Sequence, residues 1–226
     1  MSSAHAAEVP RADTVRLRVD VWTDLGCPWC YLGIHRLRRA VDEAGLTAET
    51  DLVPRSFELD PGAPTEPVTI TEIVTRKHGV SPREALQAEA GIQKLAVAEG
   101  LPFTSDRPHA NSFDVQRVLQ FANRQGRGVD FFETVQRRYF AGQINPYEHN
   151  SLIAVAVETG LDGDQVRGAL TGNAHSSDVR RDEDAGQQLG ITGVPFVLLD
   201  QRYTIAGAQS PEAYARAIEQ VMAQKR

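Results

Sequence analysis

The order of apolar and polar positions divides the 226-residue chain into three parts. Apolar and polar residues alternate over 15–22, which predicts a strand with one buried face. After Gly26 the apolar residues recur at helical spacing, which predicts an amphipathic helix that ends at Gly45. Residues 47–53 predict a second short strand that Pro54 stops. The first part therefore reads strand, helix, strand.

The second part, from about residue 69 to residue 189, loses the strand pattern and predicts consecutive helices. Their predicted ranges are 69–78, 82–99, 112–125, 130–141, 147–159, 163–171 and 177–189. Breaks that contain glycine or proline separate them. This part is predicted to form one helical lobe.

The third part returns to short strands, over 195–199 and 203–206, joined by a turn at 200–202. A last helix is predicted to run to about Gln224, with Ser210 as its N-cap. We expect a loose N-terminal tail over 1–14. We expect one domain from 15–62 and 190–226 together, with 63–189 inserted into it.

Composition excludes several classes of function. The net charge of -6 gives no general attraction for nucleic acid, and no apolar run reaches the length of a membrane span. The first 15 residues lack the apolar segment of a secretory signal, so we expect a cytoplasmic protein. We expect either a monomer or a homodimer.

The chain has only two cysteines, Cys27 and Cys30, three positions apart at the predicted start of the first helix. In a reducing compartment such a pair indicates redox chemistry or metal binding rather than a structural bridge. A zinc site needs four ligands, and the histidines are dispersed, so we expect no metal within one chain. A two-thiolate site shared between subunits and a soft-metal site stay open.

The helix start also suggests different roles for the two thiols. Unpaired backbone N–H groups and the helix dipole stabilise a thiolate there, and Pro28 suits the first helical position. Exposure and helix-end charge favour Cys27 as the nucleophile. Cys30, one turn further in, is then the shielded thiol that resolves a mixed disulfide. For Asp24 we favour a role in holding the turn over a role in proton transfer.

Five segments together resemble the DsbA-like branch of the thioredoxin superfamily, and more closely its FrnE-like cytoplasmic members. They are Asp24-Leu-Gly-Cys27-Pro28-Trp29-Cys30-Tyr31-Leu-Gly33, Ser56-Phe57-Glu58-Leu59, Asn111-Ser-Phe-Asp114, Gly193-Val194-Pro195-Phe196 and Gly207-Ala208-Gln209. The resemblance covers nearly the whole chain after the tail. It implies an α/β thioredoxin-like fold, βαβ and ββα, interrupted by a large all-helical insertion.

The resemblance also implies site residues. Pro195 would be a cis-proline that faces the two cysteines, and the backbone of Val194 would pair with an extended substrate. Pro28 and Trp29 would complete the substrate-binding surface. DsbA itself has histidine where this chain has Trp29, so we do not expect this chain to share its strongly oxidising potential. The cysteine pair of this chain is as compatible with reduction or isomerisation of disulfides as with their formation.

The leading hypothesis is a protein disulfide oxidoreductase that exchanges disulfides with protein or small-molecule thiols. It needs no cofactor beyond the Cys27–Cys30 redox pair, with glutathione as a candidate co-substrate. A second hypothesis is a glutathione-dependent transferase or isomerase of the 2-hydroxychromene-2-carboxylate isomerase type. Such proteins typically show serine where this chain keeps Cys27. A third, non-enzymatic hypothesis is a thiolate metal-binding or sensor protein.

Overall fold

A computed structural model describes residues 16–225. The first part of the chain forms β1 (Leu17–Thr23), α1 (Pro28–Glu43) and β2 (Thr50–Ser56). The last part forms β5 (Phe196–Leu199), β6 (Tyr203–Ala206) and α9 (Pro211–Ala223). The predicted tail, 1–14, lies outside the described residues, and the predicted limits of the insertion stay a prediction.

These strands form one mixed sheet in the order β2-β1-β5-β6. β1 pairs parallel to β2 and antiparallel to β5, and β5 pairs antiparallel to β6 through a turn in which Asp200 and Gln201 have positive φ. The apolar residues Leu17, Val19 and Val21 of β1 are fully buried, because β1 lies inside the sheet. The expected α/β order of elements is present.

The second strand differs from its prediction. Residues 47–49 form a single 3-10 turn, and β2 runs through Pro54 to Ser56 instead of stopping before it. β2 is an edge strand, and the Pro54 carbonyl accepts a hydrogen bond from the Asn123 side chain instead of from the sheet. The missing N–H of Pro54 therefore costs no sheet hydrogen bond, because an edge strand tolerates proline.

Helices fill most of the chain between β2 and β5. They are α2 (Ile70–His78), α3 (Pro82–Ala98), α4 (Phe113–Arg124), α5 (Gly128–Phe140), α6 (His149–Glu158), α7 (Gly163–Thr171) and α8 (Ser176–Gln188). This segment is not wholly helical, since β3 (Val68–Thr69) and β4 (Pro108–His109) pair antiparallel within it. That two-residue ladder is too short to produce a strand periodicity in the sequence.

The helical segment divides into two parts by its contacts. α4, α5 and α8 pack on β2, and α5 also contacts α1, which packs against α9. α2 and α3 form a hairpin that pairs mainly with itself and with the short β3–β4 ladder. Within residues 16–225, no helix is both long and apolar enough to cross a membrane.

Candidate active site

Cys27 lies at the N-cap of α1, directly after the sheet, and Pro28 occupies the first turn of the helix. The Cys27 carbonyl accepts the first helical hydrogen bond, from the Cys30 N–H at 3.1 Å. The Cys27 sulfur therefore lies at the end of the helix where backbone N–H groups lack helical partners and the dipole is positive. Negative charge is favoured at this end of a helix.

Both cysteines are free thiols, and they differ in their surroundings. Burial is the main cause that raises the pKa of Cys30 well above its usual range, and the neighbouring Cys27 sulfur adds to it. A hydrogen bond with Thr23 opposes this change only in part. Cys30 is therefore held as a thiol at neutral pH, which leaves Cys27 as the sulfur available for attack.

The expectation that Cys27 is exposed is wrong, because its exposed fraction is only 4%, against 0% for Cys30. The cause is the position of the helical segment and of the loop before Pro195. His109 from β4 and Val194 from that loop line the same cavity as Cys27, so this cysteine faces a cleft rather than bulk solvent. The two thiols are distinguished by contacts and not by exposure.

The loop that carries Val194 and Pro195 reaches the cysteine turn directly. The Val194–Pro195 peptide bond is cis, and the Cys27 Sγ lies 3.6 Å from the Val194 carbonyl oxygen. The Pro195 carbonyl accepts from the Gly207 N–H at 2.8 Å. A Cβ at Gly33 of α1 would lie 2.8 Å from Pro195 Cγ, so glycine there allows the helix and the loop to approach.

Asp24 holds the turn before the cysteines. Its Oδ1 accepts from the Gly26 N–H at 2.7 Å, and its Oδ2 accepts from the Leu59 N–H and the Ser112 hydroxyl, both at 2.9 Å. Burial raises the pKa of Asp24 above its ordinary value, and these hydrogen bonds oppose that rise. Asp24 thus holds the turn, as favoured from sequence, and also connects it to two distant segments.

The start of α4 lies one residue after the predicted start at residue 112. The N-cap is Ser112, whereas Asn111 lies outside the helix and its side-chain oxygen accepts from the Phe113 N–H at 2.9 Å. The Asn111 amide also donates to Glu58 Oε1 at 2.9 Å. The helix begins one residue later because Asn111 bonds across to the segment after β2, and the Ser112 hydroxyl is used by Asp24.

A cavity of about 470 Å³ opens beside Cys27. Pro28, Val194 and Trp29 also line it, and Trp29 is 41% exposed at its edge. Cys30 and Pro195 are buried outside this lining. The remaining lining residues come mainly from α2, α3 and the segments around β4: Asp24, Gly26, Leu59, Asp60, Ile70, Ile73, Val74, Lys77, His78, Val80, Glu84, Ala88, Glu89, Ile92, Arg107, His109, Ala110, Ser112 and Gly193.

His109 is a site residue that the sequence does not single out, because the histidines are dispersed along the chain. Its ring covers Gly26, where a Cβ would lie 2.8 Å from His109 Cε1. Burial lowers the pKa of His109 to about 4, so the imidazole is neutral at neutral pH. His149, by contrast, contacts Asp114 at 2.8 Å on the surface. Only the β3–β4 pairing brings His109 to the turn, and no sequence periodicity indicates that pairing.

Within the described part of the chain, 16–225, no three His, Cys, Asp or Glu side chains group in a way that could hold a metal ion.

The comparisons with known proteins agree with this architecture. A Streptomyces coelicolor protein described as a probable DsbA oxidoreductase, SCO1869, shares 36% identity and a TM-score of 0.86, over 92% of this chain and 91% of that one. A 2-hydroxychromene-2-carboxylate isomerase shares 19% identity with a TM-score of 0.71, over 92% and 97% of the two chains.

A third solved structure is the cytosolic disulfide reductase DsbM from Pseudomonas aeruginosa with GSH. It shares 21% identity and a TM-score of 0.59, over 91% of this chain and 98% of that chain. The identities of 19% and 21% to the isomerase and to DsbM show a common fold. The family model of the DSBA-like thioredoxin domain matches residues 18–219. With the βαβ and ββα sheet and a CxxC pair at the start of α1, the chain therefore belongs to the family of DSBA-like thioredoxin domains.

Proposed function

We propose that this protein is a thiol–disulfide oxidoreductase in which Cys27 attacks the substrate and Cys30 resolves the mixed disulfide. The observation that carries the proposal is the pairing of a thiol at the helix N-terminus with a second thiol that is fully buried one turn further in. The first position favours a thiolate, and the second keeps its proton until it is needed.

In the proposed reaction, the Cys27 thiolate attacks one sulfur of a substrate disulfide. A mixed disulfide forms, and the other substrate sulfur leaves as a thiolate that takes a proton from water. Cys30 then loses its proton and attacks the Cys27 sulfur, which releases the second substrate thiolate and forms the Cys27–Cys30 disulfide. The substrate gains two electrons and the protein dithiol loses two; the reverse order oxidises a dithiol.

The high pKa of Cys30 supports this order of events. A charged Cys27 sulfur is one of the causes that raise the pKa of Cys30. In the mixed disulfide Cys27 carries no charge, so that cause is removed and mainly burial still opposes ionisation. Cys30 therefore becomes easier to deprotonate at the step in which it must attack.

The other site residues are proposed to position the substrate. The Val194 carbonyl lies beside the Cys27 sulfur, where the backbone of a bound substrate would meet it. Pro195 keeps its loop against α1, and Pro28 and Trp29 border the cleft. DsbM, whose structure contains GSH, supports testing glutathione as a co-substrate and supports a cytoplasmic location.

The test uses Cys27→Ser and Cys30→Ser in the full chain, each incubated with 2-hydroxyethyl disulfide and examined by mass spectrometry. We expect Cys30→Ser to accumulate a mixed disulfide on Cys27 and Cys27→Ser to lose turnover with no adduct on Cys30. Equal adduct formation on the remaining thiol of both variants would refute the assigned roles.

A further inference from the structure

The cleft wall that is contributed by the α2–α3 hairpin is apolar. Its aliphatic side chains are Ile70, Ile73, Val74, Val80, Ala88 and Ile92. Ile73 is only 5% exposed, whereas Leu86 of the same hairpin, which is not part of the lining, is 50% exposed. Val74, Val80 and Ile92 are half-buried and Ala88 is exposed, so a substrate in this cleft would remove apolar surface from water along the hairpin.

Most charged groups of the cleft already bond to other groups of the protein. Glu89 Oε2 lies 2.8 Å from Arg107 Nη1, Lys77 donates to the Leu59 carbonyl at 2.9 Å, and Glu84 accepts from the Ser81 N–H at 2.8 Å. The lining contains two basic side chains, Lys77 and Arg107, and four acidic ones, Asp24, Asp60, Glu84 and Glu89. Outside the Glu89–Arg107 pair and the buried Asp24, two acidic side chains, Asp60 and Glu84, stand against Lys77, and this acidic excess opposes a negatively charged substrate.

Arg107 does not reverse this conclusion. Its side chain has no exposed surface, and its guanidinium carbon lies 4.7 Å and 4.8 Å from the ring centroids of Phe103 and Phe140. Two of its nitrogens have no hydrogen-bond partner among the described residues, but both are buried, and the guanidinium group stacks over these aromatic rings. The neutral state of His109 likewise fits a cleft that disfavours charge.

We propose that this cleft selects small thiols and disulfides with an uncharged, apolar body, in preference to anionic ones such as glutathione. The proposal rests on the proposed function, because Cys27 is the atom that the substrate sulfur must reach. A cavity of about 470 Å³ lies in the size range of small-molecule sites. The hairpin wall supplies the binding energy, and the acidic lining supplies the discrimination.

The probes are n-alkyl methanethiosulfonates from methyl to butyl. The Cys27 thiolate attacks the sulfenyl sulfur of each reagent, a disulfide to the alkylthio group forms, and methanesulfinate leaves with the electron pair. The full chain carries Cys30→Ser so that the adduct persists. Rates are divided by those of free cysteine, which removes the intrinsic reactivity of each reagent. We expect the relative rate to rise roughly two- to fourfold per methylene, from the free energy of burying each group.

Variants of the hairpin test whether its apolar wall causes the rise in relative rate with alkyl length. Ile73→Ser is expected to lower the butyl-to-methyl ratio roughly fivefold or more, because it removes most of an aliphatic wall residue. Ala88→Phe fills the cleft from an exposed position, so it tests the same wall without a core substitution. Leu86→Ser is the matched control and is expected to leave the ratio unchanged.

Charge is tested with 2-sulfonatoethyl methanethiosulfonate and with glutathione disulfide. For each, the rate with Cys27 divided by the rate with free cysteine is expected to be lower than the same ratio for the neutral butyl reagent. Two results would overturn the apolar selection while Cys27 is still labelled and the proposed function stays intact. One is a relative rate that does not change from the methyl to the butyl reagent, and the other is a higher relative rate for the anionic probes. Failure of Cys27 to react with any reagent would overturn the proposed function itself.

Discussion

The cysteine turn and the α2–α3 hairpin face each other across one cleft, and they are built differently. The turn is buried between the sheet and α4, and Asp24 fixes it with three hydrogen bonds. The hairpin is joined to the rest of the molecule by few polar contacts, chiefly Glu89–Arg107, Arg36–Glu99 and Lys77–Leu59. The reactive sulfur thus lies on a closely packed scaffold, opposite a wall held at separate points.

This difference suggests a division between chemistry and selection. Thiol–disulfide exchange requires Cys27 and Cys30 to keep a fixed geometry, which the scaffold provides. A binding wall with few buried contacts opens locally at a lower free energy than the core does. We therefore expect the hairpin to open locally more readily than the cysteine turn.

The largest expected effect comes from the buried pair that attaches α3. Arg107→Met leaves the Glu89 carboxylate, 5% exposed, without its partner, so we expect a loss of about 3–5 kcal/mol in the stability of the hairpin. Hydrogen exchange should accelerate in α3 and remain slow in α5. Arg39→Met, which removes an exposed pair with Glu43, is the control, with an effect below about 0.5 kcal/mol. Equal acceleration in α3 and α5 would contradict the separate attachment of the hairpin.

A matched pair of aliphatic truncations compares the two regions directly. Leu119→Ala in α4 should lower the free energy of unfolding by about 2–5 kcal/mol, because Leu119 is fully buried. Ile73→Ala in α2 should cost less than about 2 kcal/mol, since its side chain borders an existing cavity. Both are measured by urea denaturation, and similar losses for the two would show that the hairpin is packed as closely as the scaffold.

Two titratable groups outside the hairpin, His109 over the cysteine turn and Asp178 in α8, should respond to acid in different pH ranges. The pKa of His109 falls from 6.5 to about 4 on folding, with burial as the main cause. Between these values the unfolded chain binds a proton that the folded chain does not, so stability falls as the pH is lowered, by at most about 1.4 kcal/mol per unit. His109→Gln should remove this dependence between pH 6.5 and 4, which denaturation at several pH values measures. An unchanged slope would contradict the burial of His109.

On the scaffold, Asp178 titrates lower. Burial opposes its ionisation, but hydrogen bonds from Arg124, His175 and Arg181 together lower the pKa of Asp178 from 3.8 to about 2. The unfolded chain takes up this proton first, so the contribution to stability is present above about pH 4 and is lost towards pH 2. Asp178→Asn should reduce the dependence of the free energy of unfolding on pH only between about pH 4 and pH 2. Flattening above pH 5 would be inconsistent with this assignment.

The smallest expected effect concerns the contact of α2 with the cleft entrance. Lys77→Ala removes one hydrogen bond from an exposed ammonium to the Leu59 carbonyl, so the cost should stay below about 1 kcal/mol. Hydrogen exchange near the end of α2 should nevertheless increase relative to Arg76→Ala in the same turn. The idea of separate contact points fails if the two variants behave alike.

Local signals predicted most helices well. For α3, Ser81 and Glu84 form a capping box and Pro82 begins the helix, so the predicted range 82–99 differs from the observed helix by one residue. Such caps are formed by residues that are close together in the sequence, so the sequence alone can predict them. The start of α4 was less accurate because Asn111 bonds to Glu58 across the fold.

Pro54 and His109 show what sequence periodicity does not contain. A proline is disfavoured in a central strand but tolerated in an edge strand. That β2 is an edge strand follows only from the order of the whole sheet. His109 gives no signal alone, since its position over Gly26 follows from the β3–β4 pairing. The cysteine pair was found because its spacing is local, whereas the cleft beside it is assembled from distant segments.

The central claim is that Cys27 and Cys30 form one redox couple. Its most direct test is equilibration of the full chain in glutathione redox buffers, followed by thiol alkylation and mass spectrometry. We expect a single reversible two-electron transition in which both thiols disappear together, with no such transition in Cys27→Ser or Cys30→Ser. Thiols that remain reduced over the whole buffer range, or that oxidise independently of each other, would contradict it.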